Sequence, residues 1–320
     1  MPSSLSDVAK LANVSLGTAS SVLTARKGFR VSPDTAARIR EAAEQLDYRA
    51  NRLARALATG KSRLVGLVDY DVGASFSSHL GGQFHRALAA DGYDLAIFDE
   101  STPADAIANI VDGAICCSRG MPPGLADLLP VVHISPCPNS PHDALHLDMA
   151  PGAKEAMALF AQAGCQRIAY LGCDPGTELS DGRLQSYQEF VDRTGREGIM
   201  IVTTDDRRQE GFEAVNRYAE ANGWPDAVFC RNDDLAFGVY RAARESGLVV
   251  GKDVLVIGCD DICGEYFDPP LTTLALPFDQ ISEIAWRLLQ ERIESSDLPP
   301  RVAPITAKLI VRSSASLIRN

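Results

Sequence analysis

Two pairs of adjacent carboxylates, Asp233-Asp234 and Asp260-Asp261, are the first candidates for acid–base chemistry in this 320-residue chain. On an extended strand neighbouring side chains point to opposite faces, so neither pair is expected to share a proton. His142 and His146 stand four apart, but in a Pro/Asp-rich loop leading to a strand rather than on a helix, where such a pair could grip a metal. Eight cysteines occur, at 116, 117, 137, 165, 173, 230, 259 and 263, with no C-x-x-C pair. Most fall in apolar strand-like runs and read as small buried residues rather than a metal or redox site. No G-x-G-x-x-G, P-loop, G-x-S-x-G or H-E-x-x-H motif is present. The residues predict no enzyme, no metal and no cofactor.

A phosphate-binding surface is better supported. The formal net charge is −11, but it is unevenly spread. Residues 1–63 hold 11 Lys+Arg against 5 Asp+Glu, whereas the remainder holds 20 against 37. A basic head on an acidic body fits a nucleic-acid-binding module joined to one that does not touch nucleic acid. No apolar run is long enough to span a bilayer and no secretory signal precedes the head, so the chain is expected in the cytoplasm and away from membranes.

The elements that position these residues can be read in order. Ser4-x-x-Asp7 matches a capping box before Leu5, Val8, Ala9 and Ala12, one face of a helix. Asn13 suits the left-handed turn between this helix and a second, which Ser15 caps. Ser32-Pro33 opens a third helix, with Ala36, Ile39, Ala43 and Leu46 on its inner face. The second helix keeps a polar, small-residue face of Ser15, Gly17, Thr18, Ser20 and Ser21. That face is either a solvated surface or a recognition helix entering the major groove.

From about residue 63 strands alternate with helices. LVGLVDY, YDLAIFD, GAICC, VVHI, ALHLD, RIAYLGC, GIMIV, AVFC and VLVIGCDD read as strands. Helical periods cover 150–163, 208–222, 233–246 and 279–294. This is the pattern of doubly wound parallel sheets, with too many strands for one sheet. Breaks near 149–152 and after 271–277 fit two similar lobes with crossing chains.

The combination DVAKLANVS, TAS, VL, then RVSPDT, then YRANRLARAL resembles the head and hinge of the lactose-repressor/galactose-repressor (LacI/GalR) family of bacterial transcription regulators. The body carries VDGAI (111–115), RLQSY (183–187), NDDLAFG (232–238), VIGCDD (256–261) and PLTT (270–273) in the family's order. The resemblance implies a helix-turn-helix head over 1–48, a hinge over 49–62 and an effector-binding core over 63–320. That core would resemble a periplasmic binding protein, with an N-lobe of about 63–149 and 277–307 and a C-lobe of about 150–276 and 308–320. The implied partners are a double-stranded DNA operator with inverted repeats, a second copy of the chain, and a small polar effector, a sugar or sugar phosphate.

Carried over by position, Ser15, Leu16, Gly17, Thr18, Ser20 and Ser21 would face the major groove, with Arg26 and Lys27 in a basic loop after them. Asn51, Arg55 and Leu57 fall on the hinge, where a leucine from each protomer would wedge into the minor groove. Arg183, Asn232 and Asp260 would line the effector cleft, with Asp71, Ser75, Phe76 and Ser135 beside it. The sequence departs from the family at Ser21, where arginine is usual, at Ala50, where proline is usual, and at Ser135, where many sugar-binding members have Asp. Leu16 and Gly17 cannot form a bidentate bond to a base edge. Between IFDE and VDGAI a full helix is reduced to STPADAIANI. A cytoplasmic solute-binding protein, or a regulator answering to a nucleobase, are the alternatives.

Overall fold

The computed structural model describes residues 3–23, 28–48, 60–69, 71, 73–117, 121–135, 140–173, 182–295 and 297–316. The chain divides into two units, Met1–Ser62 and Arg63–Asn320.

The first unit holds three helices: α1 (Leu5–Leu11), α2 (Leu16–Leu23) and α3 (Pro33–Gln45). The capping box before α1 forms as the spacing predicts. The Asp7 amide donates to Ser4 Oγ at 3.3 Å and the Ser4 amide to Asp7 Oδ2 at 3.0 Å. These bonds from Ser4 hold the Asp7 carboxyl below its ordinary range. Asn13 takes φ +52°, the left-handed turn that lets α2 follow at once. Ser15 and Ser32 accept the Thr18 and Thr35 amides at 3.1 and 3.2 Å. Val8, Ala9, Ala12, Ala19, Ile39 and Ala42 form the small core. Of the face expected for α3, Ile39 is in this core and Ala43 and Leu46 pack against it; Ala36 is half-buried, and Ala42, not expected, is buried.

In the second unit, β1 (Leu64–Asp69), α4 (Ser75–Ala89), β2 (Asp94–Asp99), α5 (Ala104–Ala108), β3 (Gly113–Cys117), α6 (Leu125–Leu128), β4 (Val131–Ser135) and β5 (Asp143–Asp148) come first. They are followed by α7 (Ala150–Gln162), β6 (Arg167–Gly172), α8 (Arg183–Thr194), β7 (Glu197–Val202), α9 (Arg208–Asn222), β8 (Ala227–Cys230), α10 (Asp233–Glu245) and β9 (Leu255–Asp260). Then come β10 (Thr272–Ala275), α11 (Phe278–Glu294), β11 (Val302–Thr306) and β12 (Lys308–Ile310). Two six-stranded sheets result, in the orders β11-β5-β4-β3-β1-β2 and β12-β10-β9-β8-β6-β7.

The N-lobe sheet is wholly parallel. The C-lobe sheet is parallel except at one edge, where β12 runs antiparallel to β10, a departure from the expected all-parallel pair. β3, β8 and β9 are buried along their whole length, as strands covered on both faces must be. The strands β11 and β12, separated only by Ala307, belong to different sheets. With the passages from β5 to α7 and from β10 to α11, they make three crossings between lobes. The shortened stretch after β2 forms only the five-residue α5. No helix among the described residues is long and apolar enough to cross a membrane.

Candidate functional site

In the head, the first turn of α2 presents Ser15, Leu16 and Gly17 to solvent, with Leu16 54% exposed. Ser15 is tied into the helix cap, its hydroxyl 2.8 Å from that of Thr18. Thr18 and Ser20 are half-buried. Ser21 differs from expectation: it is buried, on the inner side of α2 rather than on its outward polar face. Arg26, Lys27, Asn51, Arg55 and Leu57 lie outside the described residues.

In the core, the carboxyl ends of both sheets face one cleft, the position that doubly wound sheets leave for a ligand. A cavity of about 280 Å³ lies there. Its C-lobe wall carries the charged and amide groups, with Phe237, Ile262, Tyr266 and Phe267 beside them. Arg183 is the first residue of α8, after Gly182 at φ +91°, and is buried. Its guanidinium donates to the Arg231 carbonyl at the end of β8. Asn232 caps α10, accepting the Leu235 amide at 2.8 Å, while its Nδ2 donates to the Asp206 carbonyl at 2.9 Å. One donor and one acceptor of its amide are therefore held in place, and an amide has capacity for more.

Asp260 ends β9 with φ +106°, and Asp261 follows at φ +59°. Two successive non-glycine residues in this region mark stored strain, which collects at ligand clamps. Burial, reinforced by Asp233, pushes the Asp260 carboxyl well above its ordinary range, against the pull of Arg183 and Arg231. In these surroundings the neutral form of Asp260 is favoured, which can donate a hydrogen bond as well as accept one.

Of the two carboxylate pairs only Asp260 lies on a strand, at the end of β9. Asp233 and Asp234 open α10. Asp233 is buried, accepting from Thr273 Oγ1 at 2.7 Å and from the Ile262 amide at 3.2 Å. Burial raises it to about 7. Gly258 is required beneath it, because a Cβ there would stand 2.3 Å from Asp233 Oδ1. Asp234 instead meets Arg208 at 2.6 Å, and Asp261 meets Arg312 at 2.7 Å.

Sequence reasoning missed Arg231 and Asp206. They form an ion pair on the cavity wall with side chains 6% and 10% exposed. A basic residue directly after a buried strand was the available signal. Cys263, outside the strand-like runs that hold most of the cysteines, is exposed and lines the cavity.

The N-lobe wall is mostly apolar. Phe76, Ile134, Leu147 and Met149 line it together with Ser75 and Ser77. Phe76 both faces the cavity and packs on the core, its ring 5.5 Å from that of Phe278. Ser77 Oγ donates to Asp69 Oδ2 at 2.6 Å. Ser135 ends β4, and its side chain lies outside the described residues. Asp71 is not part of the cavity wall; its carboxylate accepts from Arg207 of the opposite lobe at 2.9 Å.

Residues 4–51 match the family model of bacterial regulatory proteins, lacI family, and residues 157–315 match the periplasmic binding protein-like domain. The chain is 27% identical to the HTH-type transcriptional repressor PurR of Mannheimia succiniciproducens, over 98% of this chain and 99% of that one. It is 29% identical to the ribose operon repressor of Escherichia coli (strain K12), over 97% and 99%. Its fold is similar to that of the lac repressor dimer bound to operator and the anti-inducer ONPF, with a TM-score of 0.77, 24% identity, and coverage of 99% and 100%.

Proposed function

Starting from a chain that belongs to the LacI family of bacterial regulatory proteins, a repressor with a ligand-binding core, we propose that it binds a palindromic operator as a homodimer in the cytoplasm and releases or grips that DNA according to a sugar held between its lobes. In this reading Ser15, Leu16, Gly17, Thr18 and Ser20 approach the major groove, with Arg26 and Lys27 beside them. Asn51, Arg55 and Leu57 act at the minor groove. Arg183, Asn232 and Asp260 bind the effector's hydroxyl groups, flanked by Ser75 and Phe76.

The observation that carries the effector reading is the convergence of a buried guanidinium, a helix-capping amide and a buried carboxyl on one cavity at the sheet ends. A fork of donors beside an acid suits a polyol. Arg208 and Arg231 face Asp234 and Asp206, and Asp233 and Asp260 share the same wall. The Arg208 and Arg231 guanidiniums are already neutralised by Asp234 and Asp206, which supports an uncharged sugar over a sugar phosphate. The relative named for the ribose operon supports a pentose as the first sugar to try. A flat nucleobase is the second reading, favoured by the aromatic rings of Phe76, Phe237 and Tyr266 at the cavity.

Coupling of ~1–3 kcal/mol between effector and DNA would change operator occupancy about 5–150-fold. Fluorescence anisotropy on DNA from upstream of its own gene, against a scrambled duplex at physiological salt, tests the regulator. Preference of ~10³-fold or more is expected of a specific binder. Adding ribose, other sugars, sugar phosphates and nucleobases in turn identifies the effector class. Equal weak binding to both duplexes, unmoved by any compound, would reject the reading.

A further inference from the structure

The start of α9 brings two consecutive arginines across the mouth of the cleft. Arg207, the residue just before the helix, reaches Asp71 of the N-lobe at 2.9 Å. Arg208, its first residue, reaches Ser75 Oγ of the N-lobe at 3.4 Å while Asp234 holds it from its own lobe at 2.6 Å. Its guanidinium also stacks over Phe237 at 5.1 Å. The two pairs join residues more than 130 positions apart in sequence, one lobe to the other.

Both ends of the contact are prepared before they meet. The Asp71 carboxylate accepts from the Gly73 amide at 3.2 Å, and the turn is closed by the Ala74 amide on the Asp71 carbonyl at 3.0 Å. The Arg207 amide donates to Asp205 Oδ1 at 2.9 Å. A carboxylate already fixed in a turn loses little freedom on meeting its partner, which is the main cost of a surface ion pair. Asp71 is 17% exposed and Arg207 60%, so the bond lies at the boundary with solvent, where salt screens it.

We propose that Arg207 and Arg208 form a clasp that holds the lobes closed over the cavity, with Arg207 as a positioning residue that acts through Asp71 rather than on the effector. This rests on the cavity being the effector site, and it assigns to that site a device that sets how readily it opens. The clasp biases the lobes toward the closed arrangement, so an effector that needs the cavity closed binds more tightly while the clasp is intact. Rising ionic strength loosens it without touching the buried Arg183 or Asp260.

Hydrogen exchange read by mass spectrometry tests this on the full-length chain with no effector added. The proteins are the wild type, Arg207→Ala, Arg207→Lys and Asp71→Asn, each at 50 mM and 500 mM NaCl. Arg207→Ala is expected to speed exchange in residues 73–82, on the opposite lobe, by ~2–5-fold, the factor that corresponds to an ion pair of this exposure. Asp71→Asn should do the same reciprocally in residues 204–212. Wild type at high salt should approach Arg207→Ala, and Arg207→Lys should keep most of the protection at low salt. If each variant changes exchange only in its own lobe, or if salt and substitution leave both segments at wild-type rates, the clasp is overturned. Because no effector is used, that result would leave the effector reading standing. A failed effector titration, in turn, would not alter the exchange rates.

Discussion

The two walls of the cleft are made of different chemistry. On the C-lobe side the ends of β8 and β9 and the starts of α8 and α10 supply buried charged and amide groups that bond to one another: Arg183 to the Arg231 carbonyl, Arg231 to Asp206, and Asn232 to the Asp206 carbonyl. On the N-lobe side Phe76, Ile134, Leu147 and Met149 present carbon, with two serines. The polar wall is organised before a ligand arrives, so it can fix orientation. The apolar wall supplies contact area and excludes water, and it tolerates differences in shape. Few placed polar groups on a largely apolar lining is how small-molecule sites divide affinity from specificity.

The largest expected effect comes from the polar wall. Arg231→Ala would leave Asp206 buried without its guanidinium, a loss of ~3–5 kcal/mol in urea unfolding. The bond from Arg183 would survive, because it goes to the backbone carbonyl at 231. A loss under 1 kcal/mol would mean that the wall is not preorganised.

A pH series separates the lobes next. Asp233, raised to about 7 by burial, and Asp260, also raised by burial, favour the protonated form in the folded C-lobe. The contribution of Asp233 is complete below the unfolded carboxylate value near 3.8 and is lost as pH rises through about 7. Between pH 5.5 and pH 8 wild type should therefore lose about 2 kcal/mol more stability than Asp233→Asn, measured by thermal or urea unfolding. The N-lobe has the opposite case. Burial would raise Asp143, but hydrogen bonds from Arg292 and Arg301 outweigh it and hold the carboxyl low. That contribution is present above about pH 4 and fails only as pH falls further. An Asp233→Asn protein with an unchanged alkaline slope would remove the contrast.

Phe76→Ala probes the apolar wall. Its ring is partly buried, so a loss of about 2 kcal/mol is expected, below the ~3–5 of a fully buried phenylalanine. The same variant should weaken binding of every sugar tested by a similar factor, because the ring contact it removes is not directional. Asn232→Ala is the smallest, about 1 kcal/mol for a lost helix cap, and Asn232→Ser should restore most of it. If Asn232→Ser restores stability but not the effector response, the amide's remaining bonding capacity belongs to the ligand.

Local rules made much of the fold legible. Ser4, Ser15 and Ser32 cap helices because a hydroxyl can satisfy an amide two or three residues on, and Asn13 turns because its side chain tolerates a left-handed backbone. Runs such as VLVIGC could be little else than buried strands. Arg183 and Asp260 were found through their motif positions. Arg231 and Asp206 were not, since their pairing depends on β6, β7 and β8 lying side by side. Arg207 and Arg208, in DDRRQE, look like any solvated charge run until the second lobe stands opposite. The burial of Ser21 depends on how α2 rolls against its neighbours, which a polar face alone does not fix.

The exchange of β11 and β12 between sheets has a consequence for how the molecule is made. The N-lobe needs α11 to cover it and β11 to close the edge at β5, and both lie in the last 43 residues of the chain. A ribosome has therefore released most of the C-lobe before the N-lobe has all its parts. During that interval β5 stands as an unprotected edge, the kind of surface on which nascent chains associate wrongly. The half of the core that is translated first must wait until the other half is almost wholly made, and each lobe takes its last strand, β11 or β12, from the same final stretch of chain.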